Sequence, residues 1–318
     1  MASFLAQPIF IRTARPVFSG TAAGTKVSII SYLLSIIYYL NLKKFIPVQK
    51  TPTPYIYILP EPCYNTPKPH PKRSVISMIY DIRTYGAVPD GTTLNTAAIQ
   101  SAIDACGAAG GGTVLISGGT YLTGTIELRT GVELHIDAAA RLLGSPDCAD
   151  YPEKDRRHVD RRKLPRRQSA CLIFAEECER IAITGRGTID ANGDSFIERV
   201  PDGEHYWMPY RRIDAPTPPR VVFFTGCRNV LVTDVTMTNQ PAGWSYWIHD
   251  CDDVHFDRVQ IRARLDYPNN DGIHINSSRN VTVSNALISC GDDCIIVRAN
   301  NSSLAENKVC ENVAVTNC

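Results

Sequence analysis

Four segments decide the fold: CRNVLVTDV (227–235), CDDVHFDRV (251–259), SRNVTVSNA (278–286) and CENVAVTNC (310–318). Aligned on their first residues, they carry Val230, Val254, Val281 and Val313 at the fourth position. The sixth position holds Val232, Phe256, Val283 and Val315, and the ninth holds Val235, Val259, Ala286 and Cys318. A weaker copy, CERIAITG, starts at Cys178 and puts Ile181 and Ile183 in the same two places. Successive starts from Cys227 lie 24, 27 and 32 residues apart. A repeat of about 20 to 50 residues marks a solenoid or array.

Each unit has room for short β-branched strands and none for a long helix. A leucine-rich repeat would show a Leu ladder, and a propeller blade needs about 40 residues or more. The expectation is an all-β chain, a right-handed parallel β-helix whose coils stack about 4.8 Å apart. A single coil cannot bury its inward face, so equivalent Val, Ile and Cys residues must stack into one interior. The cysteine at the first position is expected as an inward ladder member or turn residue. The first coil leaves an open edge that needs a cover. Ile99, Ala102, Ile103 and Cys106 recur at helical spacing, which predicts a short N-terminal capping helix over 95–106. Asn95 or Thr96 is expected to cap it. Gly107 and the glycines at 110–112 are expected to end it.

The 318 residues are 44% hydrophobic and 20% charged, with a net charge of +1, which excludes a disordered chain and any overall field for nucleic acid. The 11 cysteines contain no CxxC pair and fit no zinc spacing; most are expected as small buried apolar residues. Residues 1–77 stand apart from 78–318, the expected β-helix domain. They hold an apolar run over 27–42, and eight prolines between Pro47 and Pro71 that read as an extended linker. The run is short for a spanning helix and misplaced for a signal peptide. Three readings compete: a membrane anchor with linker, an atypical export signal, or a start called too early. Met78, at the first foldable residue, favours the third, and a membrane partner follows only from the first. At the other end Cys318 fills the ninth position of a repeat, so the chain is expected to stop inside a coil and to belong to a longer functional protein.

Two polar motifs sit one coil apart, Asn269-Asn270-Asp271-Gly272 and Gly291-Asp292-Asp293-Cys294. Asp271 precedes Asp292 by 21 residues and Asp293 by 22. Stacking would bring the three carboxylates to one surface, where mutual repulsion raises one pKa. A protonated carboxyl beside ionised neighbours suits acid/base glycoside hydrolysis. Taken singly, each motif reads as an ordinary turn. A calcium site, or a calcium-dependent lyase with a basic residue as base, is the third reading.

YGAVPDG, NTAAIQSAID, GGTVLI and YLTGTIEL together resemble the entry segment of the pectate-lyase-like β-helix superfamily. RVVFFTGCRNVLVTDVTMTNQPAGW, CDDVHFDRVQI, PNNDGIHINSSRNVTV and CGDDCIIVRAN are similar to glycoside hydrolase family 28, the polygalacturonases and their relatives. The resemblance covers roughly 78–318 and implies metal-free, cofactor-free, inverting hydrolysis of α-linked galacturonic acid. It makes Asp292 the general acid, with Asp271 and Asp293 positioning and activating water. The short carboxylate separation expected from stacking would by itself point to retention; the resemblance points to inversion. Asn270 stands where the family usually has Thr. The family's later Gly-His-Gly and Arg-x-Lys motifs have no match here. The implied partner is an anionic polysaccharide or oligogalacturonide, with no nucleic acid. Alternatives are a rhamnogalacturonan- or xylogalacturonan-directed relative, or a noncatalytic carbohydrate-binding β-helix or inactive fragment. Location is open between secretion, which the resemblance implies, and cytoplasmic action on imported oligosaccharides.

Asn269, Arg298 and Trp244 are the expected substrate-binding residues. Arg298 is placed to meet a uronate carboxylate or to serve structure, and Trp244 to stack on a sugar or to pack. His274 lies three residues after Asp271, where strand alternation would put the two on opposite faces, so it reads as structural. Lys154 to Arg167 carries eight Lys and Arg residues. It reads as a surface loop, either a solvated charge run or a cationic rim for an anionic polymer; no interleaved aromatics support nucleic acid. The N-x-S/T matches at Asn276, Asn280, Asn300 and Asn301 read as chance.

Overall fold

The computed structural model describes residues 78–318, except 154–155, 165–168, 201–208, 214–216 and 219. The apolar run over 27–42, the proline-rich segment and Trp207 lie outside the described residues. Three parallel sheets wind around one interior as a right-handed parallel β-helix. The first sheet has eight strands, among them Glu179–Thr184, Arg228–Thr233, Asp252–Asp257, Arg279–Ser284 and Glu311–Thr316. The second has seven, from Asp90–Leu94 to Leu287–Ser289. The third runs Ile126–Glu127, Cys171–Glu176, Arg220–Thr225, Trp244–His249, Ile273–Asn276 and Ile295–Arg298. From Cys171 on, the chain takes one strand of the third sheet, then the first, then the second, and returns.

The pairing register is the one the repeat predicts. Ile181 pairs with Val230, Val230 with Val254, Val254 with Val281 and Val281 with Val313. Alternation does the sorting: Val230 and Val232 are buried while Leu231 between them is 39% exposed. Each such Val or Ile taken out of water stabilises the fold by about 1.5–3 kcal/mol before the entropy of ordering is counted. Cys178, Cys227 and Cys251 are buried at the first position, as a ladder requires. Of the ten described cysteines, however, only five are fully buried; Cys294 and Cys318 are exposed.

The third repeat position was aligned without being given a role. Arg180, Asn229, Asp253, Asn280 and Asn312 all have φ between 53° and 56° there. This left-handed corner is the conformation that Asn and Asp tolerate best after Gly. Asn312 donates to Asn280 at 3.0 Å and Asn280 to Asp253 at 2.9 Å, a hydrogen-bonded ladder along the corner.

The helix spans Thr96–Ala108, so it runs past Gly107. Ile99, Ala102, Ile103 and Cys106 are fully buried against the first coils. Asn95 makes no side-chain cap. Instead its amide takes the Val88 N–H at 2.7 Å and donates to Thr93 at 2.7 Å, closing the preceding turn.

The third sheet departs from simple alternation. Arg220–Thr225 is buried at all six positions, so its outer face is covered too. The cover is the segment 156–164, which had been read as a surface loop. Val159 and Leu164 pack with Phe174, Phe223 and Trp247, and the Arg156 guanidinium lies 3.6 Å over the Phe174 ring. Two apolar residues and one cation–π contact turn this part of a charge run into a lid.

Candidate active site

Asp271 and the Asp292–Asp293 pair lie in successive turns that lead from the second sheet into the third. Ile273 pairs with Ile295, and each follows its aspartate, Asp271 or Asp293, by two residues, so these two occupy equivalent places on stacked coils. Gly272 donates to the Asp293 carbonyl at 2.9 Å. Only glycine fits at that contact: a Cβ on Gly272 would sit 2.1 Å from the Cys294 carbonyl oxygen. One carboxylate oxygen from each of Asp271, Asp292 and Asp293 falls within 4.8 Å of the others. Asp271 is buried, while Asp292 and Asp293 face solvent.

Hydrogen bonds fix the backbone under the cluster. Ser245 donates its N–H and its hydroxyl to the Asp271 carbonyl, at 2.9 and 2.8 Å, and Gln240 donates to the Ser245 hydroxyl at 3.0 Å. Asn270 is fully buried. Its side chain bridges Gly243 N–H (3.3 Å) and the Arg264 carbonyl (3.2 Å). Its own carbonyl receives the N–H groups of Gly291 (3.1 Å) and Asp292 (3.3 Å). The Asn270 carbonyl therefore ties the two aspartate turns together, while its side-chain amide, donating and accepting at once, anchors the first turn to Gly243 and Arg264.

His274 corrects the strand-alternation argument. The strand begins only at Ile273, so Asp271 lies in the turn before alternation starts. The His274 ring meets the carboxylate, with Nε2 2.9 Å from Asp271 Oδ2. Burial pushes the imidazole below its ordinary pKa, against the upward pull of Asp271. Trp244 stacks on this ring at 3.8 Å with 17° between planes, which removes that indole face from any sugar. Arg298 turns inward, with Nη2 2.9 Å from His274 Nδ1 and its guanidinium 4.8 Å from the Trp244 ring centre. Asn269 occupies a left-handed turn position at φ 53°. Asn276 is buried, in keeping with a chance sequon there.

The carboxylate set offers oxygen ligands of the kind a hard cation prefers. Calcium takes about 6–8 oxygens, so one from each aspartate would leave most of the shell to other donors.

A charged bridge pins the lid across the third sheet. His158 Nε2 lies 2.7 Å from Asp250 Oδ2, and Lys308 Nζ lies 2.7 Å from Asp250 Oδ1 and 2.8 Å from Asp252. Asp160 donates its N–H to the Ser303 carbonyl at 3.0 Å. The hydrogen bond to Asp250 raises the His158 pKa above its ordinary 6.5 despite partial burial. Burial would raise Asp250, but its hydrogen bonds to His158 and Lys308 bring it below 3.8. A raised histidine pKa contributes stability that is complete below the unfolded value and is lost as pH rises through the folded one. We expect wild type to exceed His158→Phe in stability at pH 5, with the gap closing above pH 6.5 as His158 deprotonates. Urea melts of both proteins across pH check this; a gap independent of pH contradicts it.

A family model described as Glycosyl hydrolases family 28 matches residues 103–317. An exo-poly-alpha-D-galacturonosidase of Dickeya chrysanthemi is 28% identical, over 70% of this chain and 42% of its own length. A probable polygalacturonase of Vitis vinifera is 29% identical, over 68% of this chain and 43% of its own. The solved family 28 exopolygalacturonase of Yersinia enterocolitica superposes with a TM-score of 0.58 at 26% identity, covering 74% of this chain and 48% of that one. The chain thus spans less than half the length of each of these relatives.

Proposed function

Because the chain belongs to glycosyl hydrolases family 28, we propose that it hydrolyses α-linked galacturonic acid in pectin-type polysaccharide. The observation that carries this reading is the stacking of Asp271, Asp292 and Asp293 with oxygens within 4.8 Å. In this reading Asp292, exposed at the turn, protonates the leaving glycosidic oxygen. Asp271 takes the single proton that the attacking water loses, while Asp293 helps to hold that water in place. Asp271 Oδ1 is buried without a hydrogen-bond partner, so its lone pair is free for a water once substrate binding opens a path to it. Arg298 has further N–H groups for a uronate carboxylate, and Asn269 offers an amide from the same turn as Asp271.

A spacing of oxygens this short would, by distance alone, fit retention better than inversion, where the carboxyls stand about 6.5–9.5 Å apart. That rule concerns two carboxyls flanking one bond. With three, stacking sets the closest oxygens and leaves the acid-to-base span undefined. We take inversion from the family. Proton NMR of the first product should show the β-anomer; an α-anomer first would overturn inversion. Reducing ends should appear from polygalacturonate equally with and without EDTA. EDTA-sensitive unsaturated product would indicate a lyase, and binding without turnover a noncatalytic β-helix.

A finer reading is attack from a chain end. The lid over 156–164 packs on Phe174, Phe223 and Trp247, covering the sheet face on the coils before Asp271. In this reading the cover limits how far a polymer extends past Asp271 on that side. The relatives named as exo-acting support the same reading. Reducing-end release should outrun loss of viscosity; a matched early collapse of viscosity would indicate internal cleavage.

A further inference from the structure

We infer that His274 is a positioning residue for Asp271, locked by Arg298 in the tautomer that carries its proton on Nε2. The inference rests on the hydrolase reading for its kinetic consequence but not for its chemistry. A guanidinium offers five N–H donors and no acceptor. With Arg298 Nη2 2.9 Å away, His274 Nδ1 must present its lone pair. A neutral imidazole then has its single proton on Nε2, 2.9 Å from Asp271 Oδ2. Flipping the ring would turn carbons toward both partners, and the stacked Trp244 holds the ring plane. His274 and Arg220 are each 1% exposed. Of the charged groups that act on His274, Arg298 and Arg220 oppose a second proton on the ring while Asp271 favours one. Burial adds to the opposition.

The lock selects which carboxylate oxygen can work. Oδ2 is taken by the Nε2 proton, and Oδ1 has no partner. A neutral donor orients the carboxylate while withdrawing less of its basicity than an imidazolium would. The base is therefore held in one direction, which is what water activation requires.

The test uses the full chain, labelled with 15N. Two-bond nitrogen–proton spectra should show His274 with a protonated Nε2 and a bare Nδ1 from about pH 5 to 8, the range in which an ordinary histidine titrates. A protonated Nδ1, in either the other tautomer or the imidazolium, overturns the inference whether or not the chain is active. Arg298→Met should let Nδ1 take a proton within that range; an unchanged spectrum removes Arg298 as the lock. On oligogalacturonide, His274→Leu should lower kcat by ~10²-fold with little change in KM, as a misplaced reacting group does, and move the acid limb of the kcat profile upward. His274→Gln places an amide N–H near the ε position and should restore most of kcat. Equal losses in Leu and Gln variants that melt like wild type, or a loss in KM alone, reject the positioning role. If the unsubstituted chain turns over no galacturonan, the hydrolase reading fails and the tautomer spectrum still decides this inference.

Discussion

Asp292→Asn should lower kcat on oligogalacturonide by at least about 10²-fold, within the 10²–10⁴ range of a lost general acid. Melting should change little. The side chain is exposed, and its Oδ1 receives only the N–H of its neighbour Asp293, at 3.0 Å. Asn keeps the volume and can still accept that bond through its amide oxygen, but it has no acidic proton to pass to a leaving oxygen. The loss should fall on kcat and kcat/KM together, the mark of an interaction made in the transition state. Substrates with an activated leaving group need little protonation and should recover most of the rate. Wild-type turnover in this variant would remove Asp292 as the acid. Loss confined to natural linkages would establish it.

Trp247→Ala should have the largest effect on stability, about 3–5 kcal/mol for deleting a buried indole. Trp247 is 1% exposed, stacks on Phe223 at 4.4 Å, and carries the Arg220 guanidinium 4.1 Å from its ring centre. Its removal leaves a cavity and takes away the aromatic face that Arg220 lies against, and buried charge is costly without such partners. It also undermines Val159 and Leu164. Trypsin should then cut after Arg157 or Arg162 in the lid while the coils remain folded. Denaturant melts and mapped limited proteolysis check both parts. A loss below about 1 kcal/mol with an uncut lid would show that the lid is held by its charged bridge alone.

The coil register was legible because it depends on a periodicity that any residue count reveals, and Val230, Val254, Val281 and Val313 pair as aligned. The meeting of Asp271 with Asp292 and Asp293 followed from the same arithmetic. What stayed hidden depended on boundaries and on cover. Alternation from Asp271 to His274 failed because the strand starts at Ile273, just past the Asn-Asn-Asp-Gly turn, and alternation cannot be counted through a turn. The lid was hidden because only Val159 and Leu164 interrupt its charges, and the apolar face they cover, Phe174, Phe223 and Trp247, lies on other coils. Arg298 was open between a uronate contact and a structural role, because its partner His274 lies on the preceding coil and no sequence spacing links the two. The left-handed corners did carry a signal, the Asn or Asp at the third repeat position, but Arg180 at one of them obscures it.

The bridge across the third sheet also bears on how the chain folds. In the repeats, strand partners lie about one coil apart in sequence, so order can spread from coil to neighbouring coil, each step closing a short loop. His158 to Asp250 spans 92 residues, and Lys163 to Ser302 spans 139. These contacts cannot form until the intervening coils are in place, and once formed they link non-neighbouring coils directly. A stack of independently fraying units thereby becomes, between those anchor points, a single cooperative block.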